Sequence, residues 1–419
     1  MPAIELPYPP VMFLIDGLLV RTLRLDIDGT VILTRSVTVL ATFAAAALVA
    51  LLAHRDGARW PLALVGAGMF LGTPFLDGWA FTTRADTMAV ALSLLSALAL
   101  QRKHQSPAVA AAIAVMAFFT KQTMVALPAA ACLWQWVSGR KAGAATFAAT
   151  WLALTIAVFG VGQVLTNGNL ALNIILAHMN PGNGFDVAGR MFLELPRLLW
   201  LPVGLAVFSL ARGVVRERSV SLTGWYWCIA LAVCLYTFRG RGAWTNYFIE
   251  PAALSCVLAT GALEEIAQAC RSSSLVRRGA ALAAVTATVI WAVGAASFWI
   301  RGGETVSERP VVIPEVAQAE RILSEEPTFI VLAGKELLVS EGFAFSQMSE
   351  AGHYDASELV NLIRQRYFDL VIIRGDARSP RSINGQLKWP PGILRAIAEM
   401  YQVRRTHAGY WLYVPDRPR

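Results

Sequence analysis

Three polar knots, each at the end of an apolar run, hold the residues with the chemistry to make a site. The first is Arg84-Ala85-Asp86, the second Thr120-Lys121-Gln122-Thr123, and the third runs from Arg239 and Arg241 through Asn246 and Tyr247 to Glu250. A carboxylate can serve as general base for an acceptor hydroxyl while nearby cations offset charge developing on a leaving phosphate. Lysine presents a phosphate with a point charge carrying three donors, and arginine with a planar fork. Asn246, Tyr247 and Glu250 fall within one helical turn, so their side chains can converge. Each knot alone also reads as an ordinary helix end, with Arg84 and Asp86 neutralising one another and Lys121 snorkelling to an interface. Together they suit a substrate with a phosphate in the headgroup layer and a lipid tail in the bilayer.

The elements that must position these knots are membrane spans. The chain has 419 residues, 56% of them hydrophobic and 15% charged, with mean hydropathy +0.52, a balance that excludes a soluble globular protein. Ten apolar stretches, at about 32–53, 60–76, 87–100, 107–119, 122–138, 143–165, 196–211, 222–238, 246–265 and 279–300, predict a polytopic α-helical bundle. Alternate loops hold Arg55, Arg59, Arg102, Lys103, Arg140, Lys141, Arg212, Arg216, Arg218, Arg271, Arg277 and Arg278, which places them in the cytoplasm. The opposite loops hold Arg84, Lys121, Arg190, Arg197, Arg239 and Arg241, so the three knots face outside. The net charge of +8 lies mostly in these short loops and serves topology and lipid contact, which argues against nucleic acid as a partner.

Other chemistry finds little support. Cys132, Cys228, Cys234, Cys256 and Cys270 form no CxxC pair, which excludes a zinc site or disulfide framework on spacing. His54, His104, His178, His353 and His407 are scattered, and no GxSxG elbow, HExxH helix, P-loop or GxGxxG follows a strand. No cofactor is called for, and a divalent metal requirement is left open.

Three domains are expected: residues 1–30, an outer segment whose VMFLIDGLLV (11–20) forms an interfacial helix; 31–303, the transmembrane bundle; and 304–419, a small extracytoplasmic α/β domain. The loop 166–195 should form two short surface helices around a Pro/Gly break. In the last domain FIVLAG (329–334), LVIIRG (370–375) and YWLYVP (410–415) read as strands, alternating with helices near 314–325, 356–367 and 391–401. Strict alternation of ten spans leaves the N-terminus outside with nothing to carry it there. Two readings fit: a short N-terminus that translocates unaided, or a chain that lacks a first transmembrane helix.

The order of Pro7-Tyr8-Pro9-Pro10, Arg35, Arg84-Ala85-Asp86, Thr120-Lys121-Gln122-Thr123 and Asn246-Tyr247-Phe248-Ile249-Glu250 resembles bacterial members of the GT-C superfamily. These are the polytopic glycosyltransferases similar to the protein-mannosyltransferase and lipid A aminoarabinose-transferase group, often called RgtA/B/C/D-like. The resemblance covers nearly the whole chain and implies a GT-C-like fold. It also implies inverting transfer of a sugar from a polyprenyl-phosphate donor to a glycan, lipid or protein acceptor, at the outer face of the bacterial cytoplasmic membrane. Asp86, rather than Asp77, matches the family's second acidic position and would be the catalytic residue. Arg84, Lys121, Gln122, Arg239, Arg241, Asn246, Tyr247, Glu250 and Tyr8 would bind substrate. The family's first acid belongs to the missing helix and loop, for which Asp26 or Asp28 would be the substitute. The alternatives are a transporter or flippase of lipid-linked sugars, for which midplane charges or inverted repeats would be expected, and a non-catalytic membrane protein that binds such lipids.

Overall fold

A computed structural model describes residues 8–76, 78–101, 106–175, 185–240, 243–270, 275, 279, 286, 288, 290–291, 314–339, 342–353, 355–380, 388–407 and 409–416. The chain divides into two compact units, one of Tyr8–Gly160 with Gly182–Val306 and one of Met1–Pro7, Val161–Pro181 and Ser307–Arg419.

The first unit is a helical bundle. Its helix α1 (Val11–Leu23) turns Met12 and Asp16 inward and leaves Leu14, Leu18 and Leu23 exposed. Arg24, in the left-handed conformation at φ 51°, stops it. Asp26 then caps α2 (Ile27–Arg55) by accepting from Gly29 N at 2.8 Å. Next come α3 (Trp60–Leu71), α4 (Asp86–Leu100), α5 (Pro107–Phe118), α6 (Ala126–Val137) and α7 (Lys141–Leu165). Ser106 caps α5 ahead of a proline at the first helical position. The loop expected to form two short helices holds α8 (Asn169–Ile174), which belongs to the second unit, and α9 (Phe185–Phe192) of the first, followed by α10 (Glu194–Leu198). Beyond them lie α11 (Trp200–Arg212), α12 (Leu222–Thr237) and α13 (Ile249–Cys270).

Of these, α2 and α7 are by themselves long and apolar enough to cross a membrane. Residues Ala188–Leu198 and Trp200–Arg216, bent by 91°, would make a third crossing if they form one span. The helices α3, α4, α5, α6 and α12 are apolar but shorter, so helix length does not settle the expected count of ten. The last expected span, 279–300, lies mostly outside the described residues.

Small residues set the helix spacing. A Cβ at Gly66 of α3 would lie 2.5 Å from Thr260 Cγ2 and 3.2 Å from the backbone oxygen of Cys256, both on α13. Gly66→Val should therefore force α3 and α13 apart and cost about 1–3 kcal/mol. A lowered thermal midpoint of the whole protein in detergent, with Gly68→Val as the open-space control, checks this.

In the second unit a four-stranded sheet has the order β1-β2-β4-β3, where β1 is Ile322–Ser324, β2 Leu370–Arg374, β3 Tyr401–His407 and β4 Tyr410–Pro415. The strands β1 and β2 are parallel and the other pairings antiparallel. Alternate residues of β2 feed two cores: Val371 and Ile373 join Phe345, Met348 and Ile393, while Leu370 and Ile372 join Ile322, Phe329 and Leu412. The helices here are α14 (Pro314–Gln318), α15 (Pro327–Leu332), α16 (Gly342–Glu350), α17 (Ser357–Arg364) and α18 (Pro391–Met400).

The expected strand at 329–334 is instead helix α15. Pro327 stands in its first turn, and the Glu326 side chain accepts from Thr328 N at 3.3 Å, so local capping decides a run whose hydropathy fits either structure. The expected helix near 314–325 stops at Gln318, and the edge strand β1 takes its second half.

Arg405 on β3 grips Glu315 on α14 with bonds of 2.7 and 2.8 Å, and this fork holds the Glu315 carboxyl down at about 2. A depressed carboxyl stabilises the fold above its ordinary value of 4.5, and the contribution disappears as pH falls through 4.5 toward 2. Glu315→Gln should thus remove protection of β3 amides at pH 6 and make no difference near pH 2, as hydrogen exchange would show.

Candidate active site

The three knots, distant in sequence, meet around Asp86. This residue begins α4, 1% exposed, where the helix N-terminus favours an anion. Its Oδ1 accepts from Lys121 Nζ at 2.5 Å and from Asn246 Nδ2 at 2.7 Å. Its Oδ2 is buried and accepts no hydrogen bond from the described residues. Lys121 follows α5 in a tight turn, is 2% exposed, and lies 4.3 Å above the Tyr247 ring. Asn246 and Tyr247 belong to a short 3-10 turn, Thr245–Phe248, that leads into α13, whose first turn carries Glu250. The Glu250 Oε1 accepts from the buried Tyr226 hydroxyl of α12 at 2.6 Å.

Asp86, Lys121, Asn246, Tyr247 and Glu250 line one cavity, with Cys234 and Thr237 of α12 on its far wall. Its volume is about 10 Å³, room for a single water. A group larger than water fits only when these side chains move.

Half-buried Arg84 stands beside this centre. Its guanidinium stacks 4.6 Å above Trp79 and donates to the Tyr8 hydroxyl at 3.3 Å, while Val11 N donates to Phe119 O at 3.0 Å and ties α1 to the end of α5. The Arg84 N–H reaches Thr38 of α2 at 3.4 Å. Gln122 is half-buried next to Lys121. Arg239 follows α12 with its guanidinium 5.5 Å from the Tyr236 ring, and does not line the cavity. Arg241, Asp77 and His178 lie outside the described residues. Asp26, considered as a substitute acid, is the cap of α2, and neither it nor Asp28 lines the cavity.

Sequence reasoning missed Tyr226. A phenol inside the expected span 222–238 looks like ordinary apolar lining, and only its partner, a carboxylate 24 residues away, marks it.

The described donor set does not fit a divalent metal. No three His, Cys, Asp or Glu side chains converge among the described residues, and the ammonium of Lys121 already stands against Asp86. In the same unit, an apolar groove of about 610 Å³ runs between α2 and α3. Val39, Phe43, Val65, Met69, Phe81 and Trp291 line it.

No family model and no curated protein matches the sequence. Solved structures do match. ArnT from Cupriavidus metallidurans bound to undecaprenyl phosphate aligns over 97% of this chain and 87% of its own, with TM-score 0.62 and 14% identity. Its apo form aligns over 98% and 88%, with TM-score 0.59 and 14% identity. The Archaeoglobus fulgidus oligosaccharyltransferase, tethered to an acceptor peptide containing the NVT sequon, aligns over 98% of this chain and 66% of its own, with TM-score 0.52 and 11% identity. The chain therefore shares the fold of these solved structures over nearly its whole length, and the resemblance read from the motifs holds at the level of fold.

Proposed function

We propose that the chain is an inverting glycosyltransferase that moves a sugar from a polyprenyl-phosphate donor to a glycan, lipid or protein acceptor at the outer face of the bacterial cytoplasmic membrane. The observation that carries this reading is the buried Asp86–Lys121 pair with one carboxylate oxygen that has no donor among the described residues, set in a bundle with a GT-C fold. ArnT supports it further through its bound undecaprenyl phosphate, and the apolar groove beside α3 suits such a lipid tail.

In the closed site Asp86 neutralises Lys121. An arriving donor phosphate takes over the ammonium, with Arg84, Arg239 and Arg241 as further cations, and Asp86 is released to face the acceptor. Its Oδ2 then accepts the acceptor hydroxyl proton as the hydroxyl oxygen bonds to the anomeric carbon. The bond from that carbon to the phosphate oxygen breaks on the opposite face, and its electron pair leaves with the phosphate, so configuration inverts. Buried charge stays balanced, because Lys121 gains a phosphate as its carboxylate is neutralised. Asn246 holds Asp86 in place, while Tyr247, Glu250, Gln122 and Tyr8 line the sugar and acceptor positions.

Incubation of the purified protein with a panel of radiolabelled polyprenyl-phosphate sugars and membrane acceptors should release polyprenyl phosphate and label an acceptor. Saturable binding of every donor without release would leave a lipid-sugar binder in place of an enzyme. Movement of intact donor between leaflets of a vesicle would favour a flippase.

A further inference from the structure

The same helical unit has a second polar cavity, far from Asp86. The site touches α2 at Thr38, whose backbone oxygen accepts from Thr87 Oγ1 at 3.3 Å, and α2 then rises about 27 Å to Asp56 at roughly 1.5 Å per residue. There a cavity of about 180 Å³ opens between the ends of α2, α11, α12 and α13. Asp56, Arg212, Glu265, Ser209, Ser219 and Thr260 line it. The volume is many times that of the cavity at Asp86, space for several waters or one small polar group.

Its charges are arranged in a specific way. Arg212 pairs with Glu265, yet its Nε is buried with no hydrogen-bond partner among the described residues. The Asp56 carboxylate is fixed by Thr223 Oγ1 at 2.7 Å and Gln101 Nε2 at 2.8 Å, both neutral donors. Glu265 already neutralises Arg212, so Asp56 leaves the cavity one negative charge in excess, which calls for a cation, while the unpartnered Nε of Arg212 still offers a donor to an anionic group carried on the same molecule. A molecule carrying both charges, a phosphate and an ammonium a short linker apart, satisfies both ends.

The surroundings indicate where such a molecule comes from. A wide π-helical turn, Gly213–Glu217, carries α11 past the cavity, and such turns recur at functional sites. Beside it Phe208, Val214 and Val215 are exposed. Arg55, Arg59, Arg216 and Arg218 are exposed at this same end, the pattern that marks a headgroup layer. Free phosphoethanolamine would leave the apolar side chains bare.

We propose that this cavity binds the phosphoethanolamine headgroup of a membrane phospholipid, phosphate on Arg212 and ammonium on Asp56, with the acyl chains over Phe208, Val214 and Val215. The site is independent of the glycosyltransferase reading.

The test uses the full-length protein in nanodiscs of phosphatidylglycerol, alone or with phosphatidylethanolamine or phosphatidylcholine. Phosphatidylethanolamine should stay bound through native mass spectrometry and raise the thermal midpoint saturably. Phosphatidylcholine, whose methylated ammonium cannot donate to Asp56, should do neither. Asp56→Asn and Arg212→Gln should each weaken retention about tenfold, with the midpoint rise on adding phosphatidylethanolamine, measured from each variant's own midpoint in phosphatidylglycerol alone, reduced accordingly. Where a variant does not fold, the contrast between the two lipids on the wild-type protein decides. Equal retention of phosphatidylcholine, retention of no lipid, or glycerophosphoethanolamine competing as well as the intact lipid would each overturn the proposal.

Discussion

Replacing Asp86 by Asn is expected to lower sugar transfer by roughly 10²–10⁴-fold, the range for loss of a general base. It should also cost about 3–5 kcal/mol of stability, because the buried Lys121 ammonium loses its counter-charge. These two losses have different causes and can be separated. The double variant Asp86→Asn/Lys121→Met leaves no buried charge unpaired, so its denaturation midpoint should return most of the way to wild type. Turnover should stay at the level of Asp86→Asn or below, since no carboxylate remains to take the proton. Measuring polyprenyl phosphate release and the midpoint on the same preparations compares the two directly. A double variant that regains turnover together with stability would reduce Asp86 to a counter-ion and move the chemistry elsewhere.

That separation matters because Asp86 and Lys121 were legible in the sequence only as irregularities. A carboxylate opening an apolar helix and a lysine in a tight turn both break the local pattern, and an ionisable group next to a span is a functional signal in itself. Nothing in their spacing tells which of the three knots meet. The bond from Asn246 to Asp86 joins residues 160 apart, and it depends on how α4, α5 and α13 pack. Arg239 shows the converse: it belongs to a conspicuous basic knot, yet it stacks on Tyr236 and does not line the cavity.

In the second unit, β2 and β4 were readable as apolar runs between turns. Strand β3 was not, because its half-buried positions after Val403 are Arg405 and His407, so the alternation seen in burial is not written in apolar residues. The run at 329–334 was misread because a short apolar stretch fits strand or helix equally, and the deciding features, Pro327 and the Glu326 cap, lie just before it. Asp26 was similarly open as an isolated acid. Its bond to Gly29 N shows it satisfying a helix start.

Glu250 is the residue for which packing, rather than pattern, sets the expected effect. Among the described residues lining the cavity, its one neighbour of opposite charge is Lys121, which is already held by Asp86, and the neutral hydroxyl of Tyr226 fixes its Oε1. If Glu250 holds a hydroxyl of the donor sugar, its carboxylate must keep one orientation through the reaction. Glu250→Gln should then lower kcat/KM by roughly 10²-fold, and Tyr226→Phe, which deletes one hydrogen bond to a charged group worth about 1.5–3 kcal/mol, by roughly 10¹–10²-fold. Because Tyr226 acts through Glu250, the double variant should be no worse than Glu250→Gln alone. The loss in Tyr226→Phe should fall on kcat more than on KM, since the sugar still binds but sits loosely at the reacting carbon. A purely structural role for Tyr226 predicts otherwise: additive losses in the double variant, together with a lowered thermal midpoint and unchanged kcat in the folded fraction.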